Sequence, residues 1–209
     1  YLDEEALPPR ETTPDFMDYA NELVLTYAGD ITTTIDFLES IEGSDHTANI
    51  SDAMNLATIG LLGHSTGGGA DVAVALEDAR IDAVLGMDAW VEPLEETDLS
   101  EGLDMPSLFL RSGAWEESYN NDNLYTLIEN PDATTFYQID GTTHYDFAMV
   151  YMYSPLTKAI GFTGDVKRET LVPMMKTLVT DFFDDTLIDA SNFETGPGPW
   201  DEVREITPE

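Results

Sequence analysis

The sequence predicts an α/β fold, a mostly parallel sheet with helices on both faces, and three observations carry that prediction. Short apolar runs recur between residues 57 and 140, segments of helical periodicity alternate with them, and the connections are rich in Gly, Asn and Asp. Strands alternating with helices pair in parallel, because each crossover helix returns the chain to the same end of the sheet. At 209 residues with 42% hydrophobic content, the chain is long enough for one domain with a sizeable core.

Residues 1–14, acidic and Pro-rich, read as a lead-in. From Pro14 to Glu42, Phe16, Ala20, Leu23, Val24 and Tyr27, then Ile35, Phe37, Leu38 and Ile41, recur at helical spacing, with a break or kink expected at Gly29. The polar stretch EGSDHTANISDAMN is a loop. The strands are ATIGLLG (57–63), IDAVLGMD (81–88), PSLFLRSG (106–113) and TTFYQID (134–140). Helices are expected at about 67–78, 119–129 and 169–186, the last presenting Leu171, Met174, Met175, Leu178, Val179, Phe182 and Phe183. Residues 15–187 thus form the folded domain. Residues 188–209, with Gly, Pro and acid but little periodicity, read as a surface extension.

Charge excludes some functions. Eight basic against 42 acidic residues leave a net charge of −34. Such a surface repels nucleic acid and anionic membranes, so no nucleic-acid partner is expected. It suits a halophilic or marine setting, where salt screens the self-repulsion; a salt-rich cytoplasm and secretion into brine fit equally well. The chain has no cysteine, which removes disulfides and Cys-based zinc sites. No apolar run reaches spanning length, so stable membrane insertion is not expected.

The chemistry is concentrated in GHSTG at residues 63–67, a G-x-S-x-G pattern lying between an expected strand and an expected helix. That context is the one a nucleophile elbow requires: a strained strand-to-helix turn that leaves Ser65 exposed above the sheet edge. The helix that follows aims its N-terminus at the same spot, so the Thr66 N–H is a candidate oxyanion donor. The bland alternative is a serine that merely caps the helix. A serine nucleophile needs a base, and three histidines are on offer. His46 lies in a polar loop, and His64 sits inside the elbow with its side chain expected to point away into packing. His144 follows the last strand in DGTTHYDF, on a loop at the carboxyl edge where ligands bind in such sheets. Glu116 and Glu117 compete with Asp88 to orient it; geometry leans to Asp88, an acid in the otherwise apolar AVLGMDAWV. Trp90 and Trp115 lie just past two strand ends and are candidate walls of an acyl or aromatic pocket, against the ordinary reading of packing. HYDFAMVYMYSPL reads either as a substrate-facing or lipid-facing flap or, more simply, as a buried helix behind the histidine.

The stretch IGLLGHSTGGGADVAVALEDARIDAVLGMDAWVEPL resembles the plasma-type platelet-activating factor acetylhydrolases and their bacterial dienelactone-hydrolase-like or chlorophyllase-like relatives. In that family a G-H-S-x-G-G elbow is followed 23 positions later by the acid of a D-A-W or D-A-F motif, and Asp88 stands 23 positions after Ser65. PSLFLRSGAW looks like the family's next strand, GTTHYDF like its histidine loop and LVTDFFDDTL like its closing helix; the similarity spans about residues 55–187. The resemblance implies an α/β-hydrolase fold and a cofactor-free, metal-free ester hydrolase with Ser65 as nucleophile, Asp88 as orienting acid and His144 as base. The implied substrates are small or medium acyl esters, such as short-chain lipid, aryl or polyester-type esters. A lactone hydrolase and a non-catalytic, hydrolase-like subunit are the alternatives. Two features depart from the family: Thr66 stands where relatives carry a bulkier residue, and the region with the first strands and an H-G-type oxyanion loop is absent from these 209 residues. A missing N-terminal segment or a second chain is therefore expected to complete the fold.

Overall fold

A parallel strand covered on both faces needs apolar side chains on both, which suits the nearly continuous apolar runs of the sequence. In the computed structural model, which describes residues 9–42, 53–129, 134–154, 156–188 and 197–207, they form β1 (Ile59–His64), β2 (Ile81–Met87), β3 (Ser107–Ser112) and β4 (Thr134–Ile139). The strands lie side by side in chain order, all parallel. The structure adds β5 (Val203–Glu205), antiparallel to β4, with Ile139 opposite a buried Val203. The expectation of a mere surface extension over 188–209 is corrected here: only three residues make the strand, too few to leave a periodic signal.

The helices are α1 (Phe16–Ile41), α2 (Thr66–Glu77), the short α3 (Glu96–Leu99), α4 (Asn120–Ile128), the one-turn α5 (His144–Phe147) and α6 (Arg168–Phe183). Alternation along the strands sorts the core into two layers. Val84, Phe109 and Phe136 pack with residues of α1, α2 and α4 on one face, whereas Leu85, Leu108, Leu110 and Tyr137 pack with Met174, Leu178 and Phe182 of α6 on the other. The expected helices on both faces are thus present.

Two expectations for α1 need correction. The helix runs unbroken through Gly29, because the roughly 1 kcal/mol cost of a helical glycine is small beside the packing of Val24, Ala28, Ile31 and Ile35 onto the core. The buried stripe is also narrower than the sequence pattern, with Tyr27 and Phe37 turned outward. Before α1, a 3-10 turn at Arg10–Thr12 is pinned by a two-pronged ion pair from Arg10 to Glu92, at 2.6 and 2.8 Å. The segment after His144 is not one buried helix. It is α5 followed by a 3-10 turn, Val150–Met152, around a left-handed Met149, with Met149, Met152 and Tyr153 exposed. His46 lies outside the described residues.

Candidate active site

The carboxyl ends of β1 to β4 converge on one rim, and candidate residues follow each of them: Ser65 after β1, Asp88 after β2, Trp115 after β3 and His144 after β4. Ser65 occupies a turn that its neighbours make possible. Its backbone stands at φ 57°, ψ −124°, a conformation that costs a non-glycine residue roughly 1–3 kcal/mol. Ser65 N–H donates to the Met87 carbonyl at 3.1 Å, and the Ser65 carbonyl accepts from Gly69 N–H at 3.0 Å and Trp90 N–H at 2.9 Å. The turn leaves no room for side chains beneath it. A Cβ on Gly63 would stand 2.6 Å from the backbone of Gly67 and Gly68, and one on Gly68 would stand 2.9 Å from Ala89. The Ser65 hydroxyl makes no capping hydrogen bond to α2, so the simple cap is not what this serine does.

Asp88 is the second strained residue, at φ 41°. Its side chain is fully buried, and both carboxylate oxygens are engaged. Ser112 N–H donates to Oδ1 at 2.7 Å, the Ser112 hydroxyl donates to Oδ2 at 2.6 Å, and Oδ2 lies 3.0 Å from His144 Nδ1. A carboxylate there keeps a proton on Nδ1 and leaves Nε2 as the basic nitrogen. Glu116 and Glu117 do not compete: both are exposed, and Glu116 pairs with Arg204 at 2.5 Å. His144 is held in place by a capping box in which Asp146 Oδ2 accepts from Thr143 N–H, and the same oxygen accepts from Gly164 N–H, each at 2.8 Å. No hydrogen bond joins Ser65 to His144 in this structure, although the two flank one rim. Such contacts often tighten only when substrate binds.

The His64 ring packs between His144 and Phe147. It lies 4.3 Å from that of His144, and its Nε2 is buried without a hydrogen-bond partner among the described residues. Burial first, and the neighbouring His144 second, hold the His64 imidazole below its ordinary range. His64, Asp88 and His144 bring potential metal-ligating atoms within 4.8 Å of one another. Both Asp88 oxygens are already committed to Ser112 and His144, which fits proton handling better than metal ligation. The two tryptophans diverge. Trp90 packs 6.1 Å from Phe16 of α1 and donates to Glu92 at 3.3 Å, while Trp115 lies flat on His144, ring centroids 4.5 Å apart and planes 3° from parallel. Thr66 is the first residue of α2, where main-chain N–H groups have no intrahelical acceptor.

The family model described as platelet-activating factor acetylhydrolase, isoform II, matches residues 24–205. The chain belongs to this family. Among curated proteins, the chain is similar to the platelet-activating factor acetylhydrolase of Gallus gallus, 23% identical over 99 residues, which is 47% of this chain and 24% of that protein. Among solved structures, it is similar to a ferulic acid esterase from Streptomyces cinnamoneus with a TM-score of 0.70 at 19% identity, over 90% of this chain and 56% of that one. That likeness shows the fold, the expected α/β-hydrolase fold. The chain spans about a quarter of the curated relative and somewhat over half of the solved structure. Within the isoform II match lie the elbow, Asp88, His144 and also β5. Three contributors to the site were not found by sequence reasoning: Ser112 beneath Asp88, the His64 ring, and the stack of Trp115 on His144. The first had no signal beyond a serine ending an apolar strand, and the other two depend on which strand ends meet in space.

Proposed function

We propose that the protein is a serine carboxylic ester hydrolase in which Ser65, His144 and Asp88 act as nucleophile, base and orienting acid. The observation that carries this reading is the 3.0 Å contact of buried Asp88 with His144 Nδ1, on the same rim as a strained, uncapped Ser65. His144 Nε2 takes the Ser65 proton as Oγ attacks the ester carbonyl carbon. The carbonyl electron pair moves onto oxygen, which faces the Thr66 N–H and the N-terminus of α2. Collapse expels the alcohol, which receives its proton from the His144 imidazolium, and leaves Ser65 acylated. Water then repeats the sequence, with His144 as base, and releases the carboxylic acid. Asp88 holds Nδ1 and stabilises the imidazolium in each half.

The reading extends to substrate and partners. Neutral small or medium acyl esters suit a chain of net charge −34 better than anionic ones. β1 forms one edge of the described sheet and leaves Leu62 46% exposed. Further strands on another segment or a partner chain would cover that edge and bring a second oxyanion donor. The test is hydrolysis of p-nitrophenyl esters of graded acyl length by the chain and by Ser65→Ala, at low and molar salt. The proposal expects turnover that disappears in the variant; equal turnover in both would overturn it.

A further inference from the structure

The mechanism above gives Trp115 no part, yet among the described residues no ring is stacked more nearly parallel on another than Trp115 on His144, at 3°. The stack is built rather than incidental. Trp115 closes a 3-10 turn, Gly113–Trp115, directly after β3. Ala114 N–H donates to the Thr142 carbonyl at 3.1 Å, tying that turn to the loop carrying His144. From the other side, Asn121 Nδ2 donates to the carbonyls of Trp115 at 3.2 Å and Glu116 at 2.8 Å. Asn121 is held by Arg111 Nη1 at 3.0 Å, and the buried Arg111 is clamped on Gln138 Oε1 at 2.6 and 2.9 Å. A chain of hydrogen bonds thus runs from the centre of the sheet to the main chain that aims the indole.

The consequence for His144 follows from the ring geometry. Asp88 holds one edge of the imidazole, Trp115 covers it face to face, and His64 packs on it at 4.3 Å with a 40° tilt. Rotation about the terminal side-chain bond, which would break the contact with Asp88, is opposed by the stacked indole. When His144 takes the Ser65 proton, the indole face also lies over a developing cation, a contact stronger in the transition state than in the resting enzyme.

The geometry points to Trp115 as a positioning residue that acts through the His144 imidazole and is not a wall of the substrate pocket; the inference rests on the proposed role of His144. Trp115→Leu removes the stack, and Trp115→Phe keeps a smaller one. On a neutral aryl ester, the Leu variant is expected to lower kcat by roughly threefold to thirtyfold and leave KM within about twofold, with the Phe variant between it and the parent. A rise in KM at unchanged kcat in either variant would make Trp115 a pocket wall and overturn the inference, as would a kcat within twofold of the parent in a folded Leu variant. If the Leu variant does not fold, the Phe variant alone decides between a fall in kcat and a rise in KM. A second readout needs no turnover, so its outcome is separable from failure of the esterase reading. In the Ser65→Ala background, the His144 Nδ1 proton resonance is expected to be sharp with Trp115 and exchange-broadened with Trp115→Leu; equal sharpness would overturn the inference.

Discussion

Asp71→Asn is expected to remove a loss of stability that the parent chain undergoes as pH rises from about 4 to about 7. Asp71 lies on α2 beneath the elbow, 5% exposed, and its Oδ2 has no hydrogen-bond partner among the described residues. Burial pushes its carboxyl from 3.8 up to about 7. The sign follows from proton counts: between these values the folded chain keeps a proton that the unfolded chain releases. Stability therefore falls as pH rises from about 4 and levels off above about 7. A gap of about three units corresponds to about 4 kcal/mol in full, of which about 2–3 kcal/mol falls between pH 5 and pH 8. Asn has nearly the same shape and cannot ionise, so the stability difference between variant and parent should grow by about 2–3 kcal/mol over that interval. Urea unfolding of both proteins at pH 5 and pH 8 in molar salt measures this directly. A difference that stays constant to within about 0.5 kcal/mol would refute the argument from burial.

Three further outcomes follow from the same structure. Asp88→Asn keeps the shape but not the charge beside His144 Nδ1, so kcat on an ester substrate should fall by roughly 10³ to 10⁴; a loss below about tenfold would contradict the orienting role. Ser112→Ala removes the 2.6 Å hydrogen bond to the buried Asp88 carboxylate and should cost about 1.5–3 kcal/mol of stability by chemical unfolding, together with a several-fold drop in kcat. Raising NaCl from about 0.1 to 2 M should raise the melting temperature, because it screens self-repulsion in a chain of net charge −34; a flat response in scanning calorimetry would count against that account.

The legible part of the fold was its parallel sheet. Strands read at 57–63, 81–88, 106–113 and 134–140 are found at Ile59–His64, Ile81–Met87, Ser107–Ser112 and Thr134–Ile139; in β2 and β3 burial on both faces writes itself as a nearly continuous apolar run. β5 was invisible for the opposite reason: its position depends on pairing with β4, and Val203 is its one buried side chain. In α1, periodicity gave the helix but not its width, since Phe37 keeps the spacing while facing solvent. At the site, Ser65 was legible through steric demand, which forces small residues around a strained turn. His64 was legible as a packed side chain but its neighbour was not, since the meeting of its ring with His144 depends on which strand ends lie together in space. The bond from Ser112 to Asp88 and the stack of Trp115 on His144 join the ends of neighbouring strands. Neither leaves a local pattern, because each is fixed by sheet order alone.

The most direct test of the central claim, that Ser65 is an activated nucleophile, is stoichiometric labelling with a fluorophosphonate, read by intact mass and peptide mapping on the folded chain at low and molar salt. The account predicts one adduct per chain, on Ser65, absent from Ser65→Ala and greatly slowed in Asp88→Asn. A folded chain that stays unlabelled at both salts, or is labelled at another residue, would contradict it.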